Sequence, residues 1–390
     1  DKGVPLNAYI TALSAFLPNA PVDNDHMEAA LGMVDAKPSR TRRMILRSNG
    51  IVSRHYALDP LSGATTHTNA QLAAESIRGL SLPDFRLEQV DLLACGTTIA
   101  DQLMPNHAVM VHGELGLGPI EVMSSAGICL SSLTALKYAA LGVAAGEFKH
   151  AVACGSETPS GLMRARHFQP EMDAQAEALE GHPEIAFEKD FLRWMLSDGA
   201  GAALVEASPS STGLSLRVDW IVERSFAGEQ PACMYAGAEK RPDGSLRGWT
   251  DFEPHEWLER SLFVIKQDVK QLNANVMPIT MEKGMREVLK LHPELTPSRV
   301  DWFLPHYSSA YFRERAAQSL KDAGFEIPYE KWFTNLAHKG NTGSASLFII
   351  LEELFHSGRL QAGQTLLCYV PESGRMSTGF MHLTVCPPAA

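Results

Sequence analysis

The chain has 390 residues, 45% hydrophobic and 20% charged, with a formal net charge of −11. At about 100–200 residues per domain this fits two domains or one double domain with a large core. The acidic balance argues against a nucleic-acid surface, which needs a concentrated basic face, and no run reaches the ~20 apolar residues that cross a bilayer.

In chain order, the first informative stretch is basic: Lys37, Arg40, Arg42, Arg43 and Arg47 lie close together. It reads equally as a docking patch for an acidic carrier protein or as a solvated face. Short apolar runs then recur as expected buried strands, at Val90–Ala94, Ala151–Cys154, Gly201–Val205, Trp302–Leu304, Thr365–Val370 and Phe380–Val385. Helical patterns alternate with them at Leu130–Ala145, Tyr311–Ala323 and Ser344–His356. Alternation of this kind predicts an α/β fold with buried, partly parallel sheets. A loose internal echo joins Ser197–Val205 to Ser373–Phe380, since each is a small-residue turn entering a strand. It suggests two similar halves, residues 1–210 and 211–390, joined by the turn-rich Ala207–Gly213. The acidic stretch Phe168–Lys189 and the Gly-, Pro- and charge-rich Ala227–Glu253 read as surface excursions.

The six cysteines show no CxxC and no zinc spacing. Cys95, Cys154, Cys368 and Cys386 lie in strand-like surroundings and are expected to be buried reduced thiols. The N-terminus carries no basic-then-apolar export pattern, so a cytoplasmic location is expected. His107 and His112 are five apart rather than at helix spacing, so no metal is expected. The glycines of Gly113–Gly118 lack a phosphate-loop lysine.

Glu121–Leu133 is the most informative segment. A strand-like run meets Ser124-Ser125-Ala126-Gly127, then Ile128-Cys129, then a helical pattern. Cys129 is therefore expected at a helix N-terminus. There the dipole favours a thiolate and backbone N–H groups can hold an oxyanion. A buried structural cysteine fits the local features equally well. Two later segments bear on the choice. Leu304-Pro305-His306 puts a histidine after an apolar strand, at the end where α/β sheets bind ligands. Lys339-Gly340-Asn341-Thr342-Gly343-Ser344 puts an amide in a tight turn feeding a helix. Taken singly, His306 reads as a structural histidine and Asn341 as a turn-former. Together with Cys129 they supply a nucleophile and two donors for an enolate oxygen, which a Claisen condensation requires.

The order Cys129, His306, Asn341 resembles that of the ketoacyl synthase III family of the thiolase superfamily. Pro305-His306, Gly340–Ser346, Ser197–Ala202 and Asn49–His55 resemble four of its motifs, and the anchors span nearly the whole chain. The resemblance implies an α/β thiolase fold, five-layered αβαβα with two duplicated halves, and a homodimer. It implies a catalytic triad of Cys129, His306 and Asn341, with Arg54 near the pantetheine or phosphate entrance. Gly374 is the candidate for a second oxyanion N–H. No cofactor is implied; the substrates are acyl thioesters on coenzyme A or acyl carrier protein.

The chain departs from the housekeeping pattern at Val370–Ser377, where Glu372 and Arg375 stand among residues that the family keeps small. Phe16–Asp25, Lys37–Ser39 and Ile45–Ile51, with Gly127-Ile128-Cys129 and Pro371–Gly374, resemble the ketosynthases of dialkylresorcinol biosynthesis. That branch implies condensation of a β-ketoacyl thioester with an α,β-unsaturated one, and closure to a cyclohexanedione. Three alternatives remain open: malonyl-dependent initiation, a pyrone-forming ketosynthase, and an acyltransferase on the same fold. A pyrone- or olefin-forming branch looks to place a glutamate upstream of the cysteine, and Ala100–Asn106 has none.

Overall fold

Nine strands form one continuous sheet in the computed structural model, which describes residues 6–174 and 191–390. In chain order they are β1 Tyr9–Phe16, β2 Leu92–Thr97, β3 Glu121–Ala126, β4 Ala151–Glu157, β5 Gly199–Glu206, β6 Ser215–Ser225, β7 Trp302–Pro305, β8 Thr365–Glu372 and β9 Ser377–Cys386. Across the sheet the order is β3-β2-β4-β5-β1-β6-β9-β8-β7. The two ends mirror each other about the antiparallel β1–β6 contact. Moving outward on either side, β5 or β9 is antiparallel, β4 or β8 antiparallel again, and β2 or β7 parallel.

Alternation along the strands builds the layers. Leu92 and Ala94 of β2, and Leu366, Cys368 and Val370 of β8, face inward onto two central helices, α3 Ser131–Ala144 and α6 Ser346–His356, in one core. The odd-facing Leu93 and Cys95 pack against α1 Asn69–Arg78 and α2 His107–Leu115. Leu367 and Tyr369 pack against α4 Gly284–Leu291 and α5 Arg313–Asp322. Both sheet faces are therefore covered, which is why these strands read as unbroken apolar runs. The result is the expected αβαβα arrangement.

The expected strands are all present. Their C-terminal residues Thr97 and Glu157 in one half, and Pro305 and Glu372 in the other, extend past the apolar runs. β1 and β6 were not expected: at the seam, Arg217, Asp219, Glu223 and Arg224 break the apolar pattern of β6. Cys95, Cys154 and Cys368 are fully buried, whereas Cys386, at the end of β9, is partly exposed. Of the acidic excursion, Phe168 is buried, Gln169–Ala174 is helical and residues 175–189 lie outside the described residues. In the second excursion Met234–Tyr235 pairs with Lys266–Gln267. Among the described residues no helix is long and apolar enough to cross a membrane.

Two glycines set how closely the layers approach. A Cβ on Gly96 of β2 would lie 2.5 Å from the backbone of Ser131 and Ser132, and one on Gly155 of β4 would lie 2.4 Å from the Ser344 carbonyl oxygen. Their absent side chains let the first turn of α3 and the turn ahead of α6 rest on the strands at backbone distance.

Candidate active site

Cys129 follows β3 and stands just before α3, at the helix start expected from the sequence. The electrostatics differ from that expectation. The N–H groups of Ile128 and Leu130, on either side of Cys129, both donate to Oε1 of Glu372, the latter at 3.2 Å. The positive end of the helix is thus occupied by a carboxylate. Burial pushes the Cys129 thiol well above its ordinary value, and the charges of Glu372 and Glu157 add to the effect. The resting sulfur is a thiol, because desolvation and like charge outweigh the dipole.

Glu157 ends β4 and is buried. Its Oε1 accepts from the Thr98 N–H at 2.8 Å and hydroxyl at 2.7 Å, and from the Ser344 N–H at 3.3 Å and hydroxyl at 2.7 Å. It therefore ties the loop after β2 to the turn before α6. Burial raises its carboxyl to about 7, against the pull of those donors. Sequence reasoning missed this residue; the available signal was a carboxylate closing the apolar run Ala151–Cys154.

Asn341 sits in the turn ahead of α6. Its N–H donates to the Met195 carbonyl at 3.0 Å, and its own carbonyl accepts from the Ser197 N–H at 2.8 Å. The side-chain oxygen accepts from the Gly343 N–H at 2.9 Å, which fixes the amide and turns its NH2 away from the loop. No hydrogen bond to that NH2 is made among the described residues. The Ser132 hydroxyl donates to the Ser344 carbonyl, so the turns bearing Cys129 and Asn341 are bound together.

His306 directly follows β7, with its N–H donating to the Tyr369 carbonyl of β8 at 2.8 Å. It is buried, and its ring makes no hydrogen bond among the described residues. Burial pushes the imidazole down to about 4, so at neutral pH it is uncharged, with one N–H to donate. Glu372 closes the neighbouring strand β8, three residues beyond Tyr369. The ends of parallel strands thus bring Glu372 onto the Cys129 turn and Glu157 onto the turn before α6, while His306 stands beyond β7 beside β8; such strand ends are where α/β sheets bind ligands.

Gly374 lies in the turn after β8, where an added Cβ would meet Ile128 Cδ1 at 2.9 Å. Its carbonyl accepts from the Cys233 N–H at 2.8 Å. Arg54 is 1% exposed, and its guanidinium donates to the Val22 and Ile51 carbonyls and to Asn24 Oδ1. It packs behind Gly340, whose added Cβ would lie 3.1 Å from Arg54 Cβ, and so braces the Asn341 turn from behind. A cavity of about 220 Å³ opens beside the Cys129 turn, walled by Thr98, Ile99, Gly127, Ile128, Met234 and Ile265 among others. The second excursion therefore supplies part of the wall.

Residues 292–376 match the family described as 3-Oxoacyl-[acyl-carrier-protein (ACP)] synthase III C terminal. The chain is 25% identical over 363 residues to beta-ketoacyl-[acyl-carrier-protein] synthase III 1 of Deinococcus radiodurans, covering 93% of this chain and 89% of that one. It is 24% identical to the corresponding enzyme of Hyphomonas neptunium, covering 92% and 94%. Among solved structures it resembles AbyA1, a tetronic acid condensing enzyme, with a TM-score of 0.75 at 22% identity over 97% of this chain and 99% of that one. It also resembles Xanthomonas campestris OleA, with a TM-score of 0.71 at 19% identity over 98% of both chains. The chain has the thiolase fold and is similar along nearly its whole length to ketoacyl synthase III enzymes.

Proposed function

We propose that this protein is a condensing ketosynthase that joins two acyl thioesters through an acyl-Cys129 intermediate. The observation that carries the reading is the Ser132–Ser344 tie. It fixes a cysteine turn against a turn that presents a free amide donor, and the residue after β7 adds a neutral histidine. Such a site offers a sulfur nucleophile and two donors suited to an enolate oxygen.

In the first half-reaction Cys129 sulfur attacks the thioester carbonyl as its proton departs, and the carrier leaves as a thiol. The Cys129 N–H and the Gly374 turn are the proposed oxyanion donors. In the second half, the α-carbon of another thioester becomes an enolate, stabilised by His306 and Asn341. It attacks the acyl group and displaces the sulfur. We propose further that the donor is a β-ketoacyl thioester and the acceptor α,β-unsaturated. Conjugate addition and ring closure then give a cyclohexanedione that still bears the donor's thioester; hydrolysis of that thioester, releasing the second carrier, and loss of carbon dioxide give a dialkylcyclohexanedione, the precursor class of dialkylresorcinols. Carriage on coenzyme A or acyl carrier protein, a homodimer and a cytoplasmic location belong to the same reading.

The test is intact-protein mass spectrometry after incubation with medium-chain acyl thioesters, followed by a β-ketoacyl thioester. The expected result is an adduct on Cys129 that is discharged into a carbon-coupled cyclic product. An adduct discharged only by malonyl thioester indicates the initiation reaction instead. No adduct with any donor removes Cys129 as the nucleophile.

A further inference from the structure

We propose that Glu372 is the proton acceptor of the condensation: its carboxylate takes the α-proton of the second thioester and then returns it to the Cys129 sulfur. The inference rests on the reading of Cys129 as the acylated nucleophile and names the group that generates the enolate.

The geometry singles out this carboxyl. Glu372 closes β8 and reaches the Cys129 turn, where Oε1 is held by the Ile128 and Leu130 N–H groups. It lies against Gly127, whose added Cβ would meet Oε1 at 3.0 Å. Its Oε2 makes no hydrogen bond among the described residues and is left to take a proton. Its charge is the foremost one acting on the thiol. The other polar groups suit the task less well. The Asn341 oxygen is engaged by Gly343. Glu157 likewise has an Oε2 without a hydrogen bond among the described residues, but its Oε1 ties Thr98 to Ser344 rather than reaching the Cys129 turn, and its charge acts on the thiol less than that of Glu372.

The charged and titratable groups facing Glu372 are the Cys129 thiol and Glu223, with Glu157 beyond the thiol. Neither Glu372 nor Glu157 has a basic ion-pair partner among the described residues. Burial accordingly holds the Glu372 carboxyl above its ordinary range, even though two N–H groups pull it down, and a carboxylate of raised basicity is a better base near neutral pH.

The step balances. The α C–H bond breaks, its proton goes to Glu372, and its electron pair becomes the enolate held by His306 and Asn341. The enolate carbon bonds to the acyl carbon, the C–S bond breaks, and the thiolate recovers the proton from the carboxylic acid. One negative charge moves through the site without a second being added. Two carboxyls without a counter-cation also repel a malonyl carboxylate, which loses its hydration on entering a buried site. The second substrate assigned to this site is therefore an uncharged β-ketoacyl thioester.

The experiment compares full-length wild type, Glu372→Gln and Glu157→Gln. Loading is read as the Cys129 adduct from a medium-chain acyl-coenzyme A, and coupling with a β-ketoacyl-coenzyme A or with malonyl-coenzyme A. The glutamine at 372 can still accept from Ile128 and Leu130, and it removes the charge that disfavours the thiolate, so loading should be at least as fast as in wild type. Coupling to the β-ketoacyl donor should fall at least about 100-fold, the usual scale of a lost general base. Glu372→Asp should restore part of it. Coupling retained in Glu372→Gln overturns the proposal, as does equal loss of loading and coupling, which marks a structural role. Selective loss in Glu157→Gln alone moves the role to Glu157 and overturns it too. Malonyl-coenzyme A discharging the wild-type adduct as fast as the β-ketoacyl donor overturns the assigned substrate. A wild type that forms no adduct at all instead sinks the underlying reading.

Discussion

Ser132 and Ser344 join the first turn of α3 directly to the turn ahead of α6: the Ser132 hydroxyl donates to the Ser344 carbonyl, linking the two halves. The contact is possible because Gly155 lies beneath both residues and has no side chain. A Cβ there would stand 2.4 Å from the Ser344 oxygen and 2.8 Å from Ser132 Cβ.

Gly155→Ala should therefore damage stability and site together. The obstructing atoms are backbone, so relief means moving the turn that carries Asn341 away from the one that carries Cys129. Overpacking of this kind costs about 1–3 kcal/mol, enough to lower the melting temperature by several degrees. Thermal unfolding measures the cost. Acylation of the still-folded protein should fall as well, because the two turns no longer meet. Unchanged melting and unchanged loading would show that the layers can separate freely at this point.

Cys129→Ala should abolish the acyl adduct while leaving the fold intact, since Cys129 is only partly buried against the core. Mass spectrometry after incubation with an acyl thioester is the check. An adduct of full stoichiometry in this variant would place the nucleophile elsewhere.

His306→Ala and Asn341→Ala should separate the two half-reactions. Neither side chain donates to the nucleophile's turn, and the Asn341 amide is aimed by Gly343 rather than by Cys129. Loading should persist, while carbon–carbon coupling falls by about 10²–10³-fold, the scale of a lost oxyanion donor. Rates of adduct formation and of product release, measured on the same preparation, decide the matter. Equal loss of both would assign these residues to nucleophile activation.

Much of this arrangement is legible in the sequence, for physical reasons that differ from place to place. The strands leading to His306 and Glu372 are buried on both faces, so composition alone marks them. β1 and β6 lie at the seam, and the polar residues of β6 hide its period. The motif at Asn49–His55 is visible, but its purpose is not. Only the fold shows that Arg54 braces Gly340, that the His55 N–H donates to Ser197 Oγ at 2.9 Å, and that Asp198 accepts from the Ala57 N–H at 2.7 Å. Three separated motifs thus form one scaffold behind Asn341. The proton chemistry is the least legible. A helix N-terminus suggests an acidic thiol, yet Glu372 reaches it from 244 residues away, a contact that no local pattern encodes.

Glu157 provides a test of the buried charge that does not depend on the reaction. Its carboxyl has an ordinary value of 4.5 and is raised to about 7 in the fold. The folded state therefore binds more protons than the unfolded chain between those values, and the stability Glu157 contributes is lost as pH rises through this window. Asp198, raised to about 6, acts in the same direction, whereas His306 and His107, each pushed down to about 4, act oppositely. The pH profile of wild type alone is thus a near-cancellation. The difference between wild type and Glu157→Gln isolates one group. Denaturant unfolding at pH 4.5 and pH 8 should show the balance shifting toward the variant by about 3 kcal/mol, from 1.36 kcal/mol per pKa unit. Lost hydrogen bonds to Thr98 and Ser344 move the variant's stability at every pH, but not the slope of the difference. A difference that is flat across the window would mean that Glu157 titrates alike in the folded and unfolded chain, and that its four donors fully offset its burial.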